Sequence, residues 1–177
     1  MSGEQQRLDS VRQRMALACE MSRRDPSGVT LLAVSKKQAM IAEIIVKAAI
    51  QKYHVIRICR PNSYHLDGVE RVDKPLSNFQ LFALILASEK RALIDSSLHH
   101  AAAAFNKPST VMWVGTDPKM FGYDIHDNIC AKEPSGNIKR IDSYIFDYDF
   151  LGHHHEFPYY SNDIIFDSKQ ILNSLAL

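Results

Sequence analysis

"VTLLAVSKKQ", Val29 to Gln38, is the stretch on which the reading of the fold turns. Leu31, Leu32, Ala33 and Val34 are continuously apolar. A run without alternation reads as a strand buried on both faces. Ser35 and Lys36 end it, and a helical pattern follows from Ala39, with Ile41, Ile44, Ile45, Ala48 and Ala49 on one face. "HVIRI", His54 to Ile58, supplies a second short strand. Upstream, Leu8, Val11, Met15 and Ala18 recur at helical spacing, so Gln6 to Met21 reads as an amphipathic helix stopped by "SRRDPSG". Helix, strand, helix, strand is the pattern of an α/β domain. The interval between the two strands is long enough for a right-handed crossover.

The chain has 177 residues, enough for one domain with its own core and no need of metal or disulfide. Lys plus Arg is 21 against 20 for Asp plus Glu, so a global bias toward nucleic acid or an anionic membrane is excluded. Cys19, Cys59 and Cys130 form no CxxC pair, and their odd number suits a reducing compartment. The first residues carry no apolar signal segment, and no run reaches the ~20 apolar residues of a membrane span. A cytoplasmic protein is expected, with no specific nucleic acid and no membrane.

Downstream, "RPNSYHLDG", Arg60 to Gly68, reads as loop. Phe79 to Leu93 reads mainly as helix, with a strand from Leu81 to Leu86 as the alternative, and "SSLHHAAAAF" can prolong that helix to Phe105 before Pro108. Thr110 to Gly115 reads as a strand, and "TDPKMFGYDIHDN" as a polar loop. "EPSGN" marks a turn, Ile141 to Phe150 and Ile164 to Phe166 have strand character, and Ser168 to Leu177 reads as a closing helix. The whole is taken as a single α/β domain over residues 1–177, with residues 108–177 different in character and a boundary near Pro108 or Pro134 left open.

Lys36 has two readings. Its stem can cover apolar surface while the ammonium reaches water. Alternatively it points into the mouth of an α/β fold, where desolvation would lower its pKa and make a neutral amine competent for a Schiff base. The stretch "RLDSVRQRMALACEMSRRDPSGVTLLAVSKKQAMIAEIIVKAAI" resembles the N-terminal segment of the pyridoxal 5'-phosphate homeostasis proteins, which are similar to the N-terminal barrel domain of alanine racemase. The resemblance is concentrated in the first quarter of the chain, within residues 1–60. It implies that Lys36 carries pyridoxal 5'-phosphate as an aldimine. The family's "FGENY" element is replaced here by "YHVIRICRPNSY", in which Asn62 and Tyr64 echo its Asn and Tyr as cofactor-binding residues. The family's "HFIGxLQxNK" segment has only "LFALILASEKR" as a counterpart, with Lys90 at its lysine, and no phosphate loop is recognisable between Gly152 and Leu177.

A closed eight-stranded barrel usually takes about 250 residues. The fold expected from the resemblance is therefore an incomplete or divergent TIM-barrel-like one, truncated relative to the family. The function it implies is cofactor binding in vitamin B6 homeostasis, without robust turnover, because no second base accompanies the lysine. Two alternatives stand beside it. One is a degenerate interaction module that has lost the cofactor, its protein partner unknown. The other is a metal-dependent hydrolase.

The metal reading rests on "HHHE", His153 to Glu156. Successive strand residues point to opposite faces, so His153 and His155 would need a distant third ligand such as Asp149 or His126. His99 and His100 read as surface or helix-end residues. Cys59 reads as a small apolar residue completing "VIRIC". Gly115 and Gly122 lack the lysine of a P-loop.

Overall fold

The computed structural model describes residues 29–33, 39–132 and 165–177. The helix expected over Gln6 to Met21, the strand over Ile141 to Phe150, Lys36, and His153 to His155 lie outside the described residues.

Six strands form one parallel sheet: β1 (Val29–Ala33), β2 (His54–Ile58), β3 (Val69–Val72), β4 (Lys90–Ile94), β5 (Thr110–Trp113) and β6 (Asp127–Cys130). Their spatial order is β3-β2-β1-β4-β5-β6. β1 lies between β2 and β4, pairing Val29 with His54 on one side and Thr30 with Lys90 on the other. Five helices complete the described part: α1 (Ala39–Ala49), α2 (Asn78–Ala87), α3 (Ser97–Ala104), α4 (Pro118–Phe121) and α5 (Ser168–Leu175).

This order corrects the barrel expectation. In a barrel each strand lies beside the next in sequence. Here the chain runs outward through β2 and β3, returns past β1 by way of α2, and starts again in the opposite direction with β4. The sheet is open and its strand order reverses at β1. The handedness of crossovers explains the two helical layers. A right-handed crossover moving one way along the sheet places its helix on one face, and one moving the other way places it on the opposite face.

Side chains show both layers. Ile41, Ala42, Ile45, Val46 and Ala49 of α1 pack with Val55, Ala92, Met112 and Ile129 from the sheet and with Ile171 and Leu175 of α5. On the other face, Ile85 of α2 and Ala102 of α3 pack with Leu93, Val111 and Trp113. Ala92 and Leu93 point to opposite faces, as do Met112 and Trp113, which is the period-two alternation of a strand covered on both sides.

The strand at His54–Ile58, the helix from Ala39 and the closing helix from Ser168 lie where the sequence puts them. Phe79 to Leu93 does not stay helical. α2 stops at Ala87, the Ser88 backbone N–H closes it on the Leu84 carbonyl, and Lys90 to Ile94 forms β4. "ALI" within β4 is a short buried apolar run, the kind that periodicity cannot distinguish from a helical segment. "SSLHHAAAAF" is accordingly a separate helix. The supposed polar loop after β5 contains α4 and β6. Ile165 and Phe166 are core residues without strand pairing; the Ile165 carbonyl accepts the Lys132 amide just past β6.

Arg91 is a structural pin at the amino end of β4. It is buried, and burial holds its guanidinium pKa below the usual value. Its nitrogens donate to the carbonyls of Pro108 (2.9 and 3.1 Å), Glu89 (3.3 Å), Ile85 (3.4 Å) and Ser88. One side chain thus joins the end of α2, the turn after it and the entry to β5.

Candidate functional site at the carboxyl edge of the sheet

In open parallel sheets, ligands bind outside the carboxyl ends of the strands where the strand order reverses. Here that place lies between the ends of β1 and β4. β4 leads through Asp95 and Ser96 directly into α3, and β5 leads through Gly115, Thr116 and Asp117 into α4.

The turn from β4 into α3 is locked by its own side chains. Ser96 is the N-cap of α3, and its hydroxyl accepts the Leu98 amide at 3.4 Å while donating to the Ile94 carbonyl at 3.2 Å. His99 takes the place usually held by Glu or Gln in a capping box: its Nδ1 accepts the Ser96 amide at 3.1 Å. The His99 amide donates to the Ser96 carbonyl at 3.2 Å. Ser97, at the first helical position, has no intrahelical acceptor for its N–H. That donor sits at the positive end of the helix dipole. The Thr116 hydroxyl donates to the Asp95 carboxylate at 2.6 Å and ties the end of β5 to the end of β4.

Behind this turn lies a cluster of rings. His99 is fully buried, with its ring centroid 5.1 Å from Trp113 and 3.9 Å from His100. Its Nε2 donates to the Phe121 carbonyl at 3.2 Å. A carbonyl only accepts, so the proton is on Nε2 and the lone pair on Nδ1 is the one capping Ser96. His126 is also buried and its Nε2 donates to the His99 carbonyl at 3.0 Å. Burial pushes the pKa of both imidazoles down, opposed by their bonds to the carbonyls of Phe121 and His99. His99 Nδ1 lies 3.8 Å from Asp95, a separation that would suit an ion pair. Burial and the accepting role of Nδ1 decide otherwise: the ring is neutral. The Trp113 indole donates to Asn128 at 2.8 Å, and Asn128 in turn donates to the Tyr123 carbonyl at 3.0 Å, fixing the segment that carries His126.

Asp95, His99 and His100 bring potential metal-ligand atoms within 4.8 Å of one another. The cluster is nevertheless a helix-capping device, because both nitrogens of His99 are committed to backbone groups and His100 Nδ1 is hydrogen-bonded to the Tyr123 hydroxyl at 2.9 Å. His99 and His100 were expected to be surface or helix-end residues: His99 is at the start of α3 but completely buried there, and His100 is exposed. His126, considered above as a distant metal ligand, is instead a buried support of α3.

Asn62 and Tyr64 follow β2 at the same edge of the sheet. Asn62 is exposed, and the Tyr64 ring lies under the Arg57 guanidinium at 4.1 Å. The two residues share one loop but not one environment. Sequence reasoning read "SSLHHAAAAF" as helical but missed the turn that starts it as a separate helix, although Ser96-x-x-His99 carried a capping-box spacing. α4 was missed although "TDPK" offers Asp117 as N-cap and Pro118 at the first helical position.

A concavity of about 300 Å³ lies at the opposite edge, at the amino ends of β4, β5 and β6, lined by Lys90, Thr110, Asp127 and Ser174 among others. There Thr110 and Ser174 hydroxyls are 2.5 Å apart and Ser174 donates to Asp127 at 2.7 Å. These polar groups satisfy one another while stitching α5 to the sheet. Among the described residues no helix is long and apolar enough to cross a membrane.

No family model and no curated protein matches the sequence. Among solved structures, the chain is similar to the crystal structure of the glycosyl transferase family 9 protein from Veillonella parvula, with a TM-score of 0.55 and 11% identity over 93% of this chain. The match spans 50% of that protein, so the chain covers about half its length. The likeness concerns the fold. It overturns the resemblance to the pyridoxal 5'-phosphate homeostasis and alanine racemase barrel proteins, and with it the reading in vitamin B6 homeostasis. That reading needed the first strand of a barrel, whereas β1 is the central strand of an open, doubly wound sheet.

Proposed function

We propose that this chain is a small-molecule-binding α/β unit of glycosyl-transfer type, holding a nucleotide-diphosphate sugar at the carboxyl edge of β4 and β5, in the cytoplasm. The observation that carries the reading is the reversal of strand order beside β1, with the capped start of α3 immediately after β4. The name of the structurally similar protein supports the glycosyl-transfer class.

The chemistry follows from the groups present. The Ser97 N–H and the dipole of α3 complement a phosphate oxygen. Asp95, one third exposed and oriented by Thr116, accepts from a sugar hydroxyl. His99 and His126 hold the turn in place and do not titrate with the ligand. Transfer to an acceptor needs a second substrate surface; donor binding is the part assigned to the described residues.

The test is Ser97→Pro. Proline is favoured at the first helical position, and Ser96 already has the extended backbone, φ −169° and ψ 171°, that a residue before proline requires. The substitution removes the free N–H while leaving the helix intact. Affinity for a nucleoside diphosphate, measured by calorimetry, is expected to fall about tenfold or more, the loss of one charge-assisted hydrogen bond. Unchanged affinity in a variant of unchanged melting temperature refutes the assignment.

A further inference from the structure

We infer that Arg57 and Tyr64 form a separate oxyanion site at the carboxyl end of β2, built to take a phosphate group. The assignment does not depend on the donor site at α3, from which it is separated by β1.

Arg57 lies near the end of β2, in register with Arg71 on β3. The two guanidinium-bearing side chains therefore start from neighbouring strand positions, yet their surroundings differ. Arg71 is compensated: it pairs with Asp73 at 3.1 Å and donates to the carbonyls of Ser63 (3.1 Å), Arg60 (3.2 Å) and Pro61. Arg57 is only 2% exposed and has no ion pair among the described residues. It donates from Nη1 to the Tyr64 carbonyl at 2.6 Å and covers the Tyr64 ring. Among the described residues its buried Nε has no hydrogen-bond acceptor, as is also true of Arg71 Nε, and the buried Tyr64 hydroxyl has no partner.

A buried guanidinium without a counter-charge is costly, and buried cations are ordinarily paired. The stack on Tyr64 offsets part of that cost. Two orphaned donors, an N–H and an O–H, belong to side chains in direct contact. One oxyanion placed against both donors adds a hydrogen-bonded negative charge to the guanidinium, where the Glu43 carboxylate of α1 acts on Tyr64 only through space. A phosphate fits best, because it offers several strong acceptor oxygens to a guanidinium fork. The site lies at the edge of the sheet where ligands of this fold class bind. The covering loop, residues 59–68, is held by Arg57 and Arg71 through its carbonyls.

The experiment is thermal unfolding of the whole chain in inorganic phosphate, with chloride at equal ionic strength as the reference. The native protein, Tyr64→Phe, Arg57→Gln and Ser97→Pro are compared. A phosphate concentration roughly a hundred times the dissociation constant is expected to raise the native melting temperature by about 5 °C or more. Tyr64→Phe keeps the ring stack and loses one donor, so phosphate affinity drops about fivefold or more. Arg57→Gln loses most of the phosphate-dependent rise, any remainder being the share bound at α3, and Ser97→Pro keeps most of it. The assignment is overturned if phosphate gives no rise beyond chloride, or if the rise is as large in Tyr64→Phe as in the native chain. Should Arg57→Gln not fold, Tyr64→Phe alone decides. Loss of the rise in Ser97→Pro, with both other variants unaffected, assigns the anion to α3 instead.

Discussion

Acid should loosen this fold well before its carboxylates titrate. His99 and His126 are both buried and neutral, with pKa values pushed below the ordinary 6.5 chiefly by burial. The unfolded chain binds a proton at each below pH 6.5, and the native state does not. Stability is therefore fully present above pH 6.5 and is lost as pH falls toward the native values, with a slope of about 1.4 kcal/mol per pH unit for each imidazole. Both together remove at most about 3 kcal/mol between pH 7.5 and 5.5, the full amount only where both native values lie below that window, against the 5–15 kcal/mol that holds a typical domain. The structure also says where the damage begins. A proton on His99 Nδ1 abolishes the acceptor for the Ser96 amide, 3.1 Å away, and so opens the cap of α3. Urea unfolding at half-unit pH steps measures the slope. His99→Gln supplies the internal control, because a Gln oxygen can accept the same amide in a conventional capping box. It should keep most of the stability at pH 7.5 and lose about half the slope. A stability that changes by less than about 0.5 kcal/mol between pH 7.5 and 5.5, or a His99→Gln variant with the full native slope, refutes the reasoning.

Two further substitutions probe the frame around the site. Gly122 closes α4 where a Cβ would stand 2.6 Å from the Pro118 carbonyl oxygen and 3.1 Å from its Cβ. Gly122→Ala must push that backbone apart and lose the 2.8 Å bond between the Gly122 amide and Pro118, so a loss of about 2 kcal/mol is expected in urea unfolding. A change below about 0.5 kcal/mol would contradict the close approach. Arg91→Met keeps much of the side-chain length but strips donors from four carbonyls. Those of Glu89 and Pro108 line the amino-edge concavity and regain water, and Ile85 keeps the Ser88 hydroxyl at 3.0 Å, leaving the buried Ser88 carbonyl as the main loss. About 2–4 kcal/mol is expected, read as a melting temperature lower by roughly 5–12 °C, and near-native melting would show that the pin is dispensable.

Local periodicity was sufficient to recognise an α/β chain. "VTLLAVSKKQ" reads correctly as strand through Ala33, α1 follows with its apolar stripe, and "HVIRI" is β2 to the residue. These calculations of pattern work because strands buried on both faces are continuously apolar and a helix against a sheet shows a 3.6 period. What the pattern lacked was the neighbour of each strand. The same first strand and helix serve a barrel or an open sheet equally well, and the resemblance over residues 1–60 chose the barrel. The choice is made by β4, which docks on the far side of β1 after a crossover that no local signal encodes.

The site divides in the same way. Ser96, His99, Asp117 and Pro118 had legible capping positions in the sequence, since a cap is a matter of spacing along one chain. The burial of His99 was not legible. It depends on Trp113 from β5 and Phe121 beyond it, which only strand pairing brings beneath α3. Arg57 shows the same separation: its place in an apolar strand was visible, but its lack of an ion pair among the described residues became visible only once β3 placed Arg71 beside it and the following loop folded Tyr64 across it. Sequence determined the elements and their caps, because those follow from hydrogen bonds and side-chain spacing within a few residues. Tertiary structure alone decided the strand order, the burial of the histidines and the company of Arg57, because each is set by contacts between segments far apart in the chain.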